Sequence, residues 1–340
     1  MVQLQHTGDY RREIVMNVLV TGGSGFIGSH IVDHYLAHGD SVHAVDNLST
    51  GALQNIAAFA NNESFNFTHA DIVDWPGLEE AVRWADCIYH MAAVIGVYRV
   101  LAEPLSVFTT NIIGTEKLLD TIHKCGVKPR LIVASSSSVY GHNDSLHLTE
   151  QTDLVIKSGA HPLSGYAVSK IVSEGLGLAY YRSAQIPVTL IRLFNVIGPR
   201  QIGRYGMVVP RFIKQACNNE PITVYGDGTQ TRSFCDVRDV VSGLKILADD
   251  KETSGEIINV GHDSEISINE LAALIREKAN SSSDIKHVTY AEAYETELTD
   301  IKQRRPDLSK FYKITGFKHK WRLENSIEYL ISLYREREIN

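Results

Sequence analysis

Cysteine is scarce and unpaired in this chain of 340 residues: Cys87, Cys125, Cys217 and Cys235 stand far apart, with no CxxC among them. That spacing argues against a disulfide framework or a zinc site and fits the reduced thiols of a cytoplasmic protein. A basic excess is missing too, since 33 Lys and Arg face 40 Asp and Glu for a formal charge of -7. No nucleic-acid partner is expected, and any anionic ligand must be held by local groups. No apolar run approaches the roughly 18 residues of a membrane span, so no membrane partner is expected either. The opening MVQLQHTGDYRREIV lacks the apolar core of a signal peptide. Residues 1–15 read as a polar extension, and Met16, at the head of the first strand, is a second candidate start. Internal repeats, low-complexity tracts and an obvious linker are also absent.

What is present is a composition that is 44% hydrophobic, enough for a full core. From Met16 to about Val196, short β-branched runs alternate with amphipathic stretches. Strands are expected over Asn17–Thr21, Ser41–Asp46, Phe67–Ala70, Cys87–Met91, Leu131–Ser135 and Val188–Leu193. Between them Leu118, Leu119 and Ile122 recur at helical spacing within Glu116–Cys125. The fold class this predicts is α/β, a Rossmann-like doubly wound parallel sheet over residues 16–198. After Pro199 the rhythm breaks into Gly- and Pro-containing loops, a basic-aromatic stretch at Val209–Ile213, and strands at Ile222–Tyr225 and Ile257–Val260. Residues 199–340 read as a smaller C-terminal α/β lobe that holds substrate, with later segments returning to the first domain.

Strand residues Asn17–Thr21 run into Gly22, Gly25 and Gly28 and then a helical segment through His38. Glycines in that strand-turn-helix context permit a tight turn, close approach of a pyrophosphate, and close helix–strand packing. The helix start at Phe26 and Ile27 offers free N–H groups and positive dipole charge. Asp46, closing the second strand, stands where ribose hydroxyls would be accepted; it would repel a 2′-phosphate, and neighbouring Asn47 supplies no cation. NAD is therefore expected over NADP. Asp71 and Ile72 close the third strand and are placed to flank the adenine. Met91, Ala92 and Ala93 put small side chains at the carboxyl edge of the sheet, where cofactors lie in such folds.

Tyr166 and Lys170 are four residues apart, on one face if the segment is helical. A lysine beside a phenol is expected to lower its pKa and make it a usable base. The fifth strand ends in Ser135–Ser138, where a hydroxyl can hydrogen-bond a reacting oxygen.

This ordered set of dinucleotide turn, serine-bearing strand end and YxxxK helix resembles the extended short-chain dehydrogenase/reductases, specifically the nucleotide-sugar epimerases and dehydratases. Asn111–Thr115, Arg192–Arg200, Gly226–Arg232 and Arg304–Asp307 resemble further signatures of that family. The resemblance implies Ser136, Tyr166 and Lys170 as catalytic residues. It adds Ser49, Thr50, Gly51, Asn111 and Phe194 to the NAD contacts, and gives Ser136, Asn195, Val209, Tyr225, Arg232 and Arg304 to the sugar nucleotide. Metal ligands are not implied.

It also implies a homodimer through helices over 103–126 and 163–185. Dehydratases of the family carry Asp-Glu after the strand-end hydroxyl and its decarboxylases a Glu, whereas here Ser137 and Ser138 follow Ser136. The implied reaction is C4 epimerisation of a UDP-hexose; dehydration or decarboxylation is the alternative, and a non-catalytic NAD-binding scaffold is the reading from another class. One departure leaves substrate identity open among UDP-glucose, its N-acetyl form, a uronic acid or another nucleotide sugar: the RPGD stretch of galactose-type epimerases is replaced by Glu297-Leu298-Thr299-Asp300 followed by Arg304-Arg305-Pro306-Asp307, the latter more similar to the decarboxylase branch and less-characterised epimerases. Segment Ile95–Glu103 is a candidate sugar contact, and its Arg99 either faces the sugar or is a solvated helix residue.

Overall fold

A computed structural model describes residues 15–143, 145–156, 163–203, 206–294 and 301–339. Strands and helices alternate through the first part: β1 (Asn17–Thr21), α1 (Phe26–Ala37), β2 (Ser41–Asp46), β3 (Phe65–His69), α2 (Leu78–Trp84), β4 (Cys87–His90), α3 (Val97–Ala102), α4 (Pro104–Phe108), α5 (Gly114–Cys125), β5 (Arg130–Ser136), α6 (Ser164–Ala184) and β6 (Val188–Leu193). After β7 (Val196–Ile197) come α7 (Val208–Cys217), β8 (Ile222–Tyr225), β9 (Thr231–Ser233), β10 (Cys235–Asp236), α8 (Val237–Asp249), β11 (Ile257–Val260), β12 (Glu265–Ser267), α9 (Ile268–Lys278), β13 (Ile285–Val288), α10 (Tyr290–Tyr294), α11 (Ser309–Thr315) and α12 (Leu323–Ile339). The third strand begins two residues before the expected Phe67, and the helix through Leu118 begins at Gly114.

Seven strands form one sheet in the order β11-β6-β5-β4-β1-β2-β3. Every neighbouring pair is parallel. Such a sheet must be covered on both faces, which is why its strands are continuous apolar runs. Successive residues of β1 serve opposite layers. Val18 and Val20 pack in one core with Ile31 and Val32 of α1 and Leu244 of α8. Leu19 packs in the other with Leu78 of α2 and Leu118 and Leu119 of α5. All three β1 residues are fully buried, each contributing about 1.5–3 kcal/mol from apolar area removed from water.

The chain does not divide in space at Pro199. Ile257–Val260, read as a strand of the smaller lobe, is β11 and extends the main sheet, pairing Ile257 with Leu190 and Val260 with Leu193. Ile258 and Val260 belong to the same core as α8, and adding β11 covers the backbone edge that β6 would otherwise expose. The smaller lobe holds the parallel pair β8–β13, the antiparallel pair β9–β12 and helices α7, α9 and α12. Its separate core includes Phe212, Ile213, Leu271, Ile275 and Ile327. No helix among the described residues is long and apolar enough to cross a membrane.

The sheet order locates a site. From β1 the chain winds outward to β2 and β3 on one side and to β4, β5 and β6 on the other, leaving a crevice beyond the carboxyl ends of β1 and β4. The smaller lobe faces the same edge, and a cavity of about 600 Å³ lies between them.

Candidate active site

The floor of the cavity is the glycine turn. Gly22 has φ +69°, a left-handed conformation that favours glycine, and its carbonyl accepts from Gly25 N–H at 3.0 Å. A Cβ on Gly22 would lie 2.8 Å from Ala92 N, and one on Gly28 would lie 2.1 Å from the Gly22 carbonyl oxygen. No side chain caps α1, and Gly25, Phe26, Ile27 and Gly28 all line the cavity. A turn only glycine can make, set under an open helix N-terminus, is a seat for a diphosphate.

Asp46 stands at the rim, its carboxylate accepting from Ser24 N–H at 3.1 Å and Leu48 N–H at 2.8 Å. These bonds orient a group whose remaining lone pairs suit ribose hydroxyls. Asn47 donates to Asp71 at 2.7 Å, and both line the cavity with Ser49, Thr50, Ile72, Met91, Ala92, Ala93 and Phe194. Gly51 stands behind this rim, since a Cβ there would meet the Asp46 carboxylate at 2.7 Å. The residues present therefore fit an NAD-sized ligand with its adenosine end at β2. Asn111 departs from expectation: it is fully buried, donates to Ser169 and the Val94 carbonyl, and accepts from Val94 N–H at 2.8 Å. It shapes the wall from behind and does not line the cavity.

Ser136, Tyr166 and Lys170 converge on the far side of the crevice. Ser136 ends β5 with φ -152° and accepts from Ser138 N–H at 3.1 Å, so the strand end itself aims the hydroxyl. Helix α6 carries Tyr166 and Lys170 one turn apart. Lys170 Nζ donates to the Ala134 carbonyl of β5 at 2.7 Å. Burial lowers this lysine to about 8, with the Glu174 charge opposing the fall.

Tyr166 is where the sequence expectation needs correction. Burial raises the phenol above its ordinary value; the Ser136 hydrogen bond and the Arg304 charge pull it back only in part. The lysine is engaged by the Ala134 backbone carbonyl, and desolvation sets the direction of the phenol's shift. Arg304, which the resemblance gives to the sugar nucleotide, lines the cavity and also sets its charge near this phenol.

Asn195, Val209, Tyr225, Arg232 and Arg304 all line the other half of the cavity. Asn195 donates to the Ser233 carbonyl at 3.0 Å, and Arg232 donates to the carbonyls of Thr231 and Ile301 at 2.7 and 2.8 Å. Sequence reasoning missed Arg211 and the aromatic cluster it joins. Arg211 stacks 3.7 Å over the Tyr225 ring, and Tyr290 and Tyr294 complete that end of the cavity. Tyr98 OH reaches Tyr225 OH at 3.2 Å and donates to the Ala293 carbonyl at 3.0 Å. The basic-aromatic character of Val209–Ile213 was the available signal. Residues Glu297–Asp300 lie outside the described residues, as do residues 1–14 of the polar extension.

Charge in the cavity is sharply divided. Among the described lining residues the acids are Asp46 and Asp71, both at the β2–β3 end, while Lys170, Arg200, Arg211, Arg232 and Arg304 line the remainder. A protein of net negative charge thus builds a locally cationic chamber, suited to an anionic ligand. No group of His, Cys, Asp and Glu among the described residues could hold a metal ion.

The profile of the NAD dependent epimerase/dehydratase family matches residues 18–261. A UDP-N-acetyl-alpha-D-glucosaminuronate decarboxylase of Bacillus cytotoxicus is 35% identical, over 94% of this chain and 98% of that protein. UDP-glucuronic acid decarboxylase 4 of Arabidopsis thaliana is also 35% identical, over 95% of this chain and 69% of its own. Among solved structures, UDP-glucuronic acid 4-epimerase from Bacillus cereus, in complex with UDP-glucuronic acid and NAD, superposes with a TM-score of 0.85 at 29% identity, covering 95% of this chain and 100% of that one.

Proposed function

The chain belongs to the NAD dependent epimerase/dehydratase family, and from that premise we propose that it is a nucleotide-sugar 4-epimerase acting on a UDP-hexose. The observation that carries this reading is the absence of a carboxylate beside Ser136 and Tyr166 among the described lining residues. Eliminating water requires a second acid–base group near the sugar, and the hydroxyls of Ser137 and Ser138 cannot accept a proton near pH 7. Oxidising one carbon and reducing it again requires a single proton-transfer group.

NAD, when bound, would supply a hydride acceptor that later returns the hydride, and its oxidised nicotinamide would bring a positive charge into the cavity that Tyr166 lines. Tyr166 takes the proton of the C4 hydroxyl as the C–H bond is lost. Ser136 donates a hydrogen bond to the oxygen that becomes the ketone. Lys170, steadied by Ala134, would hold the nicotinamide ribose and keep a cation beside Tyr166. The keto sugar turns in the cavity, is reduced on its opposite face, and regains its proton from Tyr166. Electrons balance within one cycle, with no external reductant. Arg232 and Arg211, which line the cavity, would hold the substrate diphosphate or base. Leu105 and Ile113, 81% and 50% exposed on the surface of the 103–126 segment, support the expected homodimer, which a solution mass measurement tests.

Decarboxylation of a UDP-uronic acid is the second reading, favoured by the names of the curated relatives. A ketone beside the carbon that bears the carboxylate accepts the electrons of C–C cleavage, but Ser137 and Ser138 stand where the family's decarboxylases carry a Glu. Incubating the protein with UDP-glucose, UDP-N-acetylglucosamine and UDP-glucuronic acid, with NMR and mass detection, separates the two. Inversion at C4 with unchanged mass is expected; loss of carbon dioxide would overturn epimerisation in favour of the second reading.

A further inference from the structure

Arg99, left by the sequence between a sugar contact and a solvated residue, is not solvated. Its side chain is 10% exposed. Nε donates to Glu103 at 3.2 Å, one turn along α3, and Nη1 donates to Ser49 Oγ at 3.2 Å, across fifty residues of sequence. Glu103 thus orients the guanidinium from its own helix while Ser49 receives it from another loop.

The topology gives this contact its meaning. Ser49 stands in the loop leaving β2, and α3 follows β4; β2 and β4 are the two neighbours of β1. A bond from Arg99 to Ser49 therefore spans the crevice above the carboxyl end of β1, where the glycine turn lies. Both rims belong to the cavity wall: Asn47, Ser49 and Thr50 line it on one side, Ile95, Gly96, Val97 and Val100 on the other. The β2 rim is itself fastened to the glycine turn, because Ala52 N–H and the Asn55 side chain donate to the Ser24 carbonyl at 3.1 and 2.8 Å. The tie is thus anchored at both ends, with Ser49 in the cavity wall and Arg99 just behind it, beside Val97 and Val100 that line it.

We propose that Arg99 is a cofactor-retaining residue: its bond to Ser49 closes the crevice over the bound dinucleotide and slows its release between cycles. The proposal rests on the NAD assignment above. It suits a reaction that returns its hydride, because a cofactor that ends each cycle oxidised as it began has no need to exchange.

The test measures release of NADH from the loaded protein by loss of its fluorescence on a chase with excess NAD, in wild type, Arg99→Ala, Ser49→Ala and the double variant, with folding checked by thermal unfolding. Release is expected to be at least tenfold faster in Arg99→Ala and faster in Ser49→Ala. The double variant should be no faster than the quicker single variant, since both singles break one contact. Unchanged release in folded Arg99→Ala overturns the proposal. So does a double variant whose acceleration is the product of the two singles, because the residues would then act separately. Faster release of NADPH alone would also overturn it, assigning the cation to a 2′-phosphate. A wild-type chain that binds neither NADH nor NAD would instead overturn the underlying cofactor assignment.

Discussion

Gly28→Ala is the sharpest test of the dinucleotide site, because the atom it adds has a known destination. The new Cβ would stand 2.1 Å from the Gly22 carbonyl oxygen and 2.8 Å from its carbonyl carbon, well over roughly 1 Å inside ordinary contact. Those atoms are backbone, and Gly22 is itself pinned by its N–H bond to the Val45 carbonyl at 2.8 Å. No flexible side-chain end can move aside. Overpacking typically costs 1–3 kcal/mol, and a site that cannot yield should stand near the upper end, about 3 kcal/mol. For a chain of this size that lowers the melting temperature by roughly 5 °C. The displaced turn also loses its alignment with the start of α1, so NAD affinity should fall by about a hundredfold, or about 2.7 kcal/mol. Gly39→Ala is the control: φ is +83°, but nothing lies within 4 Å of the added Cβ, so a stability cost of about 1 kcal/mol should leave NAD affinity unchanged. Calorimetric titration and thermal unfolding of both variants measure the two effects. Wild-type NAD affinity in Gly28→Ala would refute the assignment of this turn to the diphosphate.

Tyr166→Phe should reduce turnover at least a thousandfold while NAD remains bound, since it deletes the proton-transfer atom and leaves the ring in place; near-normal turnover would remove the phenol from the reaction. Arg232→Ala should weaken UDP-sugar binding by tenfold or more with little change in NAD affinity, as read by titration with UDP and with NAD. Lys170, lowered to about 8 by burial, should give a turnover that declines as pH rises through about 8, where its cation is lost; a profile flat to pH 10 would contradict its role. The same shift has a stability sign. From about 8 to the ordinary lysine value of 10.5 the unfolded chain binds more protons, so this lysine makes stability rise with pH across that window. Denaturant unfolding of wild type and Lys170→Met at pH 7.5 and 9.5 should show that rise only in wild type.

The features legible from sequence are those written in local pattern. β1, β2 and β6 fall where β-branched runs placed them, because strands buried on both faces must be apolar throughout. The glycine turn was legible because three glycines at fixed spacing, between a strand and a helix, leave few other uses. What sequence missed depends on packing across long separations. The place of β11 beside β6 follows from an edge that needed covering, which no local pattern announces. Asn111 belongs to a recognisable motif, yet its amide bonds to Val94 backbone show it buttressing the wall. Arg211 joins the site through Tyr225, fourteen positions further on, and becomes visible only when α7 and β8 are packed together.

The raised Tyr166 phenol connects these layers. Burial dominates and holds the phenol above its ordinary value, so that by itself it is an idle base near neutral pH. Among the described residues the acids stand apart from it: Asp46 and Asp71 lie at the opposite end of the cavity, and Glu174, behind Lys170, is consumed in a buried pair with Arg192 at 2.8 Å. Adding a positive charge near the phenol therefore meets no offsetting carboxylate among the described lining residues beside it, and in a desolvated pocket it acts at low effective dielectric. Cofactor binding should lower the Tyr166 pKa, arming the base only when a hydride acceptor is present. Ultraviolet difference titration of tyrosinate, wild type against Tyr166→Phe, with and without NAD, reads this directly. A Tyr166 titration that NAD leaves in place would show that the phenol is activated by something other than the cofactor.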